Sequence, residues 1–258
     1  MKFIGKNALI TGSANRIGKN IAIYLASIGI NVALHYNKSS DSAKNTLEEI
    51  KKHKINSNIF QADLSNEINC LTLIKNVNQT FGPISILINN ASTFKKNNLH
   101  DTKVVDLNND FFVNLIAPFI LSREIFKGNL KGKVVNLTDW KTIRKNRFTY
   151  GLSKFAVSGL TKSLAISMAP RFQINEIALG AILPPVDVPT RRSKKINLGP
   201  MKRVGRIDEI IRNEPKIIDH LIIFVLLFII SFRIRVLNIV RLNQNKLFIN
   251  LQIIANLY

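Results

Sequence analysis

Tyr150-Gly151-Leu152-Ser153-Lys154 places a phenol and an ammonium four residues apart. On a helix these two side chains share one face, one turn apart. A phenol ordinarily loses its proton near pH ~10, and a neighbouring cation eases that loss toward neutral pH. A second candidate lies near the start of the chain, where Thr11-Gly12-Ser13-Ala14-Asn15-Arg16-Ile17-Gly18 carries two glycines six residues apart. Glycines there let the backbone approach a pyrophosphate, and free N–H groups at a helix N-terminus hold its charge. Taken alone, a Tyr-x-x-x-Lys spacing arises often by chance, and two glycines also make an ordinary tight turn. Their meaning comes from the elements that carry them.

From the start to about Leu183, short apolar runs alternate with longer amphipathic stretches. Strands are expected at residues 7–11, 31–36, 58–62, 84–89, 133–138 and 173–179. Helices are expected at 16–27, 42–53, 67–80, within 106–126 and at 149–168. In the second of these, Ala43, Leu47 and Ile50 recur at helical spacing. Such alternation predicts right-handed βαβ units and an α/β fold: a Rossmann-type, doubly wound parallel sheet in a three-layer sandwich. The glycine turn then follows the first strand, where a nucleotide-binding turn belongs, and Tyr150 stands after the fifth. The second strand ends in His35-Tyr36-Asn37-Lys38-Ser39, without the acid that would hold the ribose hydroxyls of NAD. Lys38, Ser39 and Arg16 can instead receive a 2′-phosphate, which favours NADP; for Lys38 an ordinary polar loop is the alternative.

Thr11–Gly18, Asn89-Asn90-Ala91, Asn114 and Tyr150-x-x-x-Lys154 together resemble the short-chain dehydrogenase/reductases in order and spacing, over about the first four-fifths of the chain. Finer features resemble the pteridine reductase and dihydromonapterin reductase branch. These are Arg16 where most members carry glycine, the run Asn90-Ala91-Ser92-Thr93-Phe94, and Asp139 where most members use serine. The resemblance implies that the turn Gly12, Asn15, Arg16, Ile17, Gly18 holds the cofactor phosphates and that His35–Ser39 surrounds its 2′-phosphate. It further implies that Asp63 and Leu64 flank the adenine, that Asn90, Ala91 and Gly180 line the cofactor, and that Lys154 binds the nicotinamide ribose. Ser92 and Phe94 would contact and stack on a pterin. Tyr150 would pass a proton while NADPH delivers hydride to a ring C=N bond, with a protonated Asp139 supporting the relay. Asn114 would stabilise a helix bend and a water in that relay. Asp139 lies eleven residues before Tyr150, closer than the family's usual spacing, so Thr138 is a second candidate for its role. Leu179-Gly180 replaces the expected Pro-Gly, and the substrate loop is expected from about Pro184 to Pro200, with Arg191, Arg192, Lys194 and Lys195 in it. Those four cations suit an anionic ligand or, more simply, a solvated loop.

Composition bounds these readings. With 258 residues and 46% hydrophobic content, the chain can bury a core as one large or two small domains, which excludes wholesale disorder. The single cysteine, Cys70, excludes a disulfide scaffold and a Cys-based zinc site, and the four histidines lack metal-ligand spacing, so no metal is expected. No signal peptide opens the chain, which points to a reducing cytoplasm. A net charge of +21 invites a nucleic-acid or anionic-membrane reading. The basic residues are nevertheless spread along the chain without a nucleic-acid motif, and a lysine-rich background explains them; the expected partner is a small, pterin-like molecule. Arg203–Ile210 resembles the start of the family's last helix, but past about Ile210 the pattern stops: no glycine follows Gly205, and the expected seventh strand and Asp-Gly-Gly segment do not appear. Residues 1–210 are therefore read as the reductase domain, with the last strand in doubt, and 211–258 as a divergent apolar tail. A frameshifted continuation explains such a tail; a peripheral anchor at 221–232 is the alternative reading. A homotetramer is expected if that tail permits. The competing functions are a general carbonyl or 3-oxoacyl reductase on the same scaffold, and a catalytically impaired nucleotide-binding remnant.

Overall fold

Runs such as Ile86-Leu87-Ile88-Asn89 are buried along their whole length, as strands covered on both faces of a parallel sheet must be. The computed structural model describes residues 5–181. Within them the chain runs β1 (Asn7–Ile10), α1 (Arg16–Ser27), β2 (Asn31–Tyr36), α2 (Ser40–Lys51), β3 (Ser57–Gln61), α3 (Glu67–Phe81) and β4 (Ile86–Asn89). It continues with α4 (Val104–Phe111), a π-helical turn (Phe112–Ile116), α5 (Ala117–Gly128), β5 (Gly132–Asp139), α6 (Phe148–Met168) and β6 (Phe172–Leu179). All neighbouring strands are parallel, in the order β3-β2-β1-β4-β5-β6. This is the doubly wound sheet that the alternation predicts. The expected substrate loop with its four cations, the seventh strand, the boundary near 210 and the 211–258 tail lie outside the described residues.

Two apolar layers hold the sheet. On one face Ala22, Leu25 and Ala26 of α1 and Leu47 and Ile50 of α2 pack on Ile10, Val32, Leu34 and Ile88. On the other, Leu73 and Val77 of α3 and Ile120, Leu121 and Ile125 of α5 pack on Leu9, Leu87 and Val134. Local signals set the helix ends: the Asn66 side chain accepts the Asn69 N–H to start α3, and Gly82, at φ +78°, ends it.

One element departs from expectation. The single helix expected within 106–126 is divided by the π turn, in which the Ala117 N–H reaches back to the Phe112 carbonyl, five residues away. Pro118 explains it: with no N–H, it cannot bond the carbonyl of Asn114 four residues earlier. The stretch Val104–Gly128 is long and apolar enough to cross a membrane by length and composition. Its inner face, however, is the Ala117, Ile120, Leu121 and Ile125 layer that covers the sheet.

Leu121 lies at the centre of this layer and Leu130 at the surface. Leu121→Ala is expected to lower the unfolding free energy by about 2–5 kcal/mol in urea titration, and Leu130→Ala by less than about 0.5.

Candidate functional site

The strand order reverses between β1 and β4, which pair with each other in parallel while their following connections leave for opposite faces. A crevice opens at such a switch point, beyond the C-terminal strand ends. Two connections border it: 11–18 after β1 and 90–97 after β4. The Thr11 hydroxyl oxygen accepts from the Asn90 and Ala91 N–H groups, each at 3.0 Å. Asn90 Nδ2 returns bonds to the Thr11 and Gly12 carbonyls at 2.8 and 2.9 Å. Space is the second constraint. A Cβ on Gly18 would stand 2.5 Å from both Asn90 Nδ2 and the Gly12 oxygen, and one on Gly12 would stand 2.9 Å from Ala91 Cα. Gly12 also has φ +64°, and Arg16 adopts the same left-handed region at +55°, the conformation glycine supplies most readily. Asn15 precedes α1 without a side-chain cap, so the first N–H groups of that helix are not occupied by it.

The residues around the second strand divide into two groups. Asn37, Lys38 and Ser39 are exposed beside the crevice, and Tyr36 is half-buried. His35 corrects the expectation, because its ring is buried beneath the turn. Its Nδ1 accepts the Gly12 N–H at 3.0 Å, and its Nε2 lies 3.1 Å from the Ala62 carbonyl. One neutral tautomer, protonated on Nε2, satisfies both bonds, and burial lowers its pKa from 6.5 to about 4. Leu64 is likewise turned into the α3 side of the core rather than toward the crevice. Asp63 is held below the usual carboxylate range by the Ser65 N–H and hydroxyl, with Lys38 and His35 contributing. Gly180 follows β6 and is half-buried.

At the far end of the crevice, Tyr150 and Lys154 stand one turn apart near the start of α6, both buried. The Tyr150 hydroxyl donates to Asp139 Oδ2 at 3.0 Å. Thr138, on the opposite face of β5, has a buried hydroxyl without a partner, so Asp139 is the side chain that meets the phenol. The Lys154 ammonium donates to the Leu137 carbonyl at 2.7 Å, and burial lowers its pKa to about 8 against the pull of Asp139. Burial, then the Asp139 charge and hydrogen bond, push the Tyr150 pKa above its ordinary value. Arg144 and Arg147 oppose this rise. Asp139 also lies 2.7 Å from the Arg144 guanidinium, so the phenol and this cation share one carboxyl group.

Asn114, in the π turn, is the hub between the two sides. Its Oδ1 accepts from the Ser92 hydroxyl at 3.0 Å and the Thr93 N–H at 2.9 Å, and its Nδ2 donates to Ser153 Oγ at 2.9 Å. Phe94 meets the Tyr150 ring edge-on, with centroids 4.5 Å apart. The Arg147 guanidinium lies over the Phe94 ring at 3.4 Å and donates to the Phe94 carbonyl. Sequence reasoning missed Arg144, Arg147 and Asp110. Asp110 is 1% exposed and accepts from the Thr93 and Thr149 hydroxyls, tying the loop after β4 to the start of α6. The signal available for the two arginines was the cluster Lys141, Arg144, Lys145, Arg147 between the fifth strand and Tyr150.

Residues 6–195 match the short chain dehydrogenase family. The chain belongs to this family. Within it, the 3-oxoacyl-(acyl-carrier-protein) reductase FabG of Staphylococcus epidermidis is 33% identical over 186 residues, 70% of this chain and 76% of that protein. Glucose 1-dehydrogenase 2 of Bacillus subtilis is 28% identical over 218 residues, 80% of this chain and 84% of that one. The crystal structure of FolM alternative dihydrofolate reductase 1 from Brucella suis in complex with NADP is 34% identical, with a TM-score of 0.71. That alignment covers 79% of this chain and 84% of the Brucella protein. Membership makes this short-chain dehydrogenase an oxidoreductase; the divergent substrates of its relatives leave the substrate class to the site.

The neutral His35 gives a test of the turn. Above pH ~6.5 the ring is neutral folded and unfolded, so it adds no pH dependence. Between pH 6.5 and about 4 the unfolded chain takes up a proton that the folded site resists, so stability falls as the pH falls. The loss is on the order of 3 kcal/mol. Urea unfolding of the native chain and of His35→Gln across this window should show a flatter slope in the variant by about that amount; equal slopes would exclude the buried neutral ring.

Proposed function

We propose that this short-chain dehydrogenase is an NADPH-dependent reductase of a dihydropterin-type ring C=N bond. The observation that carries this reading is the acid at the proton-donating end of the site: Asp139 accepts the Tyr150 hydroxyl where most of the family has serine. The Brucella relative named as a dihydrofolate reductase, in complex with NADP, supports it. Relatives named FabG support the alternative, a 3-oxoacyl or general carbonyl reductase on the same scaffold.

The described residues fit the cofactor. Gly12 and Gly18 let the turn close against Asn90 and Ala91 with its backbone bare, and the uncapped start of α1 suits a pyrophosphate. In this reading Asn15, Arg16, Ile17 and the exposed Lys38 and Ser39 receive the phosphates, and residues 35–39 include no acid to repel a 2′-phosphate. Asn90, Ala91 and Gly180 line the nicotinamide half, and Lys154 holds its ribose. Bound NADPH supplies a hydride. Tyr150, buried and hydrogen-bonded to a carboxylate, keeps its proton near neutral pH and delivers it to the substrate nitrogen; the direction of its pKa shift suits a donor. Asn114 holds Ser92 and Thr93 in place and, through Ser153, fixes the start of α6. Ser92 and Phe94 then receive a flat bicyclic ring.

Residues 1–210 form the working domain in this reading, and 211–258 a frameshifted tail. Exposed apolar side chains on α5 and α6, among them Phe119, Leu152, Phe155 and Ile166, support association of copies into the tetramer expected of the family. The expected compartment is the cytoplasm, where NADPH is kept reduced.

Purified full-length protein should oxidise NADPH when given a dihydropterin, and Tyr150→Phe should lower kcat by about 100-fold or more while still binding NADPH. Turnover of 3-oxoacyl or simple ketone substrates alone would replace the pterin reading by the alternative.

A further inference from the structure

We infer that Arg144 is a positioning residue for proton delivery, acting through Asp139, which it orients and compensates as the acceptor beside Tyr150. This rests on the reading that Tyr150 is the proton donor.

The geometry is specific. Arg144 Nη2 lies 2.9 Å from Asp139 Oδ1 and 2.7 Å from Oδ2. Oδ1 also accepts the Lys141 N–H at 2.8 Å, and Oδ2 also accepts the Tyr150 hydroxyl at 3.0 Å. Each carboxylate oxygen is therefore shared between Arg144 and one further donor, which fixes the rotation of the group and aims Oδ2 at the phenol. The Asp139 side chain is 9% exposed and that of Arg144 29%, so the pair sits where water screens it less than at an open surface. The loop that carries Arg144 has little freedom: a Cβ on Gly151 would fall 2.0 Å from the Thr142 carbonyl oxygen, so the loop lies directly against the α6 backbone.

The charges explain why an arginine belongs here. A neutral hydroxyl next to Tyr150 leaves the phenol's proton unaffected by charge, whereas a carboxylate holds that proton back. The charged groups acting on Tyr150 are Asp139 from β5 and Arg144 and Arg147 from the connecting loop. Asp139 raises the phenol's pKa and both arginines lower it; Asp139 also acts on Lys154 of α6. The loop after β4 contributes the uncharged Phe94 ring to this group. Arg144 thus lets an acid occupy the position without binding the proton too tightly for transfer. Because a single nitrogen bridges both oxygens, a lysine ammonium can take part of the role and an amide cannot supply the charge.

The test is a kinetic cycle on the full-length protein, with NADPH and the dihydropterin or ketone that the native chain reduces. Arg144→Gln should lower kcat by roughly 10- to 100-fold, the kinetic equivalent of one charge-assisted hydrogen bond. KM for NADPH should stay within about twofold, the solvent deuterium isotope effect on kcat should rise, and Arg144→Lys should recover part of the rate. In an Asp139→Asn background the same Arg144→Gln change should cost less than about twofold, because its partner is already neutral. Undiminished kcat in Arg144→Gln, or an equal loss with Asp139→Asn present, would overturn the role. Loss of NADPH binding in both Arg144 variants would assign the residue to the fold instead. A native chain without turnover on either substrate class would remove the underlying reading and this role with it, a result distinct from an active native chain with an unaffected variant.

Discussion

The two connections that border the crevice must touch, and everything at the site follows from that contact. Thr11 accepts the Asn90 and Ala91 N–H groups with one hydroxyl, and Asn90 closes the ring by donating back to the turn. Any side chain on Gly18 would separate them. With the ends of β1 and β4 pinned at the switch point, the turn before α1 faces the crevice from one side and the Ser92–Phe94 segment from the other. His35 props the turn from beneath, which is why a titratable ring at the end of β2 is neutral and buried.

From that contact a second chain of bonds leads to the chemical end. Thr93 bonds to Asn114 and Asp110, and these reach Ser153 and Thr149 of α6 on either side of Tyr150. The π turn puts Asn114 in reach of both partners. Tyr150 is thereby set against Asp139; burial and then the Asp139 charge and hydrogen bond hold its proton, and Arg144 and Arg147 oppose them. Lys154 is engaged with the Leu137 carbonyl at the end of β5.

The sheet and its order of strands and helices were legible in the sequence because parallel strands are continuous apolar runs and their helices carry regular apolar faces. Both glycines of the turn were legible because a close approach leaves no other choice. What escaped had physical reasons. The π turn interrupts a helix without changing its apolar rhythm, and only Pro118 betrays it. His35 stands in a strand covered on both faces, where alternation does not separate core from crevice, and Leu64 follows the end of β3, where no strand period applies. Arg144 and Arg147 come from a loop whose path is set by packing on Gly151 and Phe94, which spacing along the sequence does not reveal. Asp110 is among the most buried polar groups of the described residues, and no motif or spacing marks it.

Family membership leaves the substrate open, and the acid at position 139 with its arginine is what bends the reading toward a ring C=N bond over a ketone. The most direct measurement uses NADPH carrying deuterium at both nicotinamide C4 positions, supplied with a dihydropterin to the full-length protein. The expected result is one deuterium on carbon in the reduced product, with a proton from solvent on the adjoining nitrogen. A reduced product without deuterium, or label appearing only when a ketone is supplied, would contradict it.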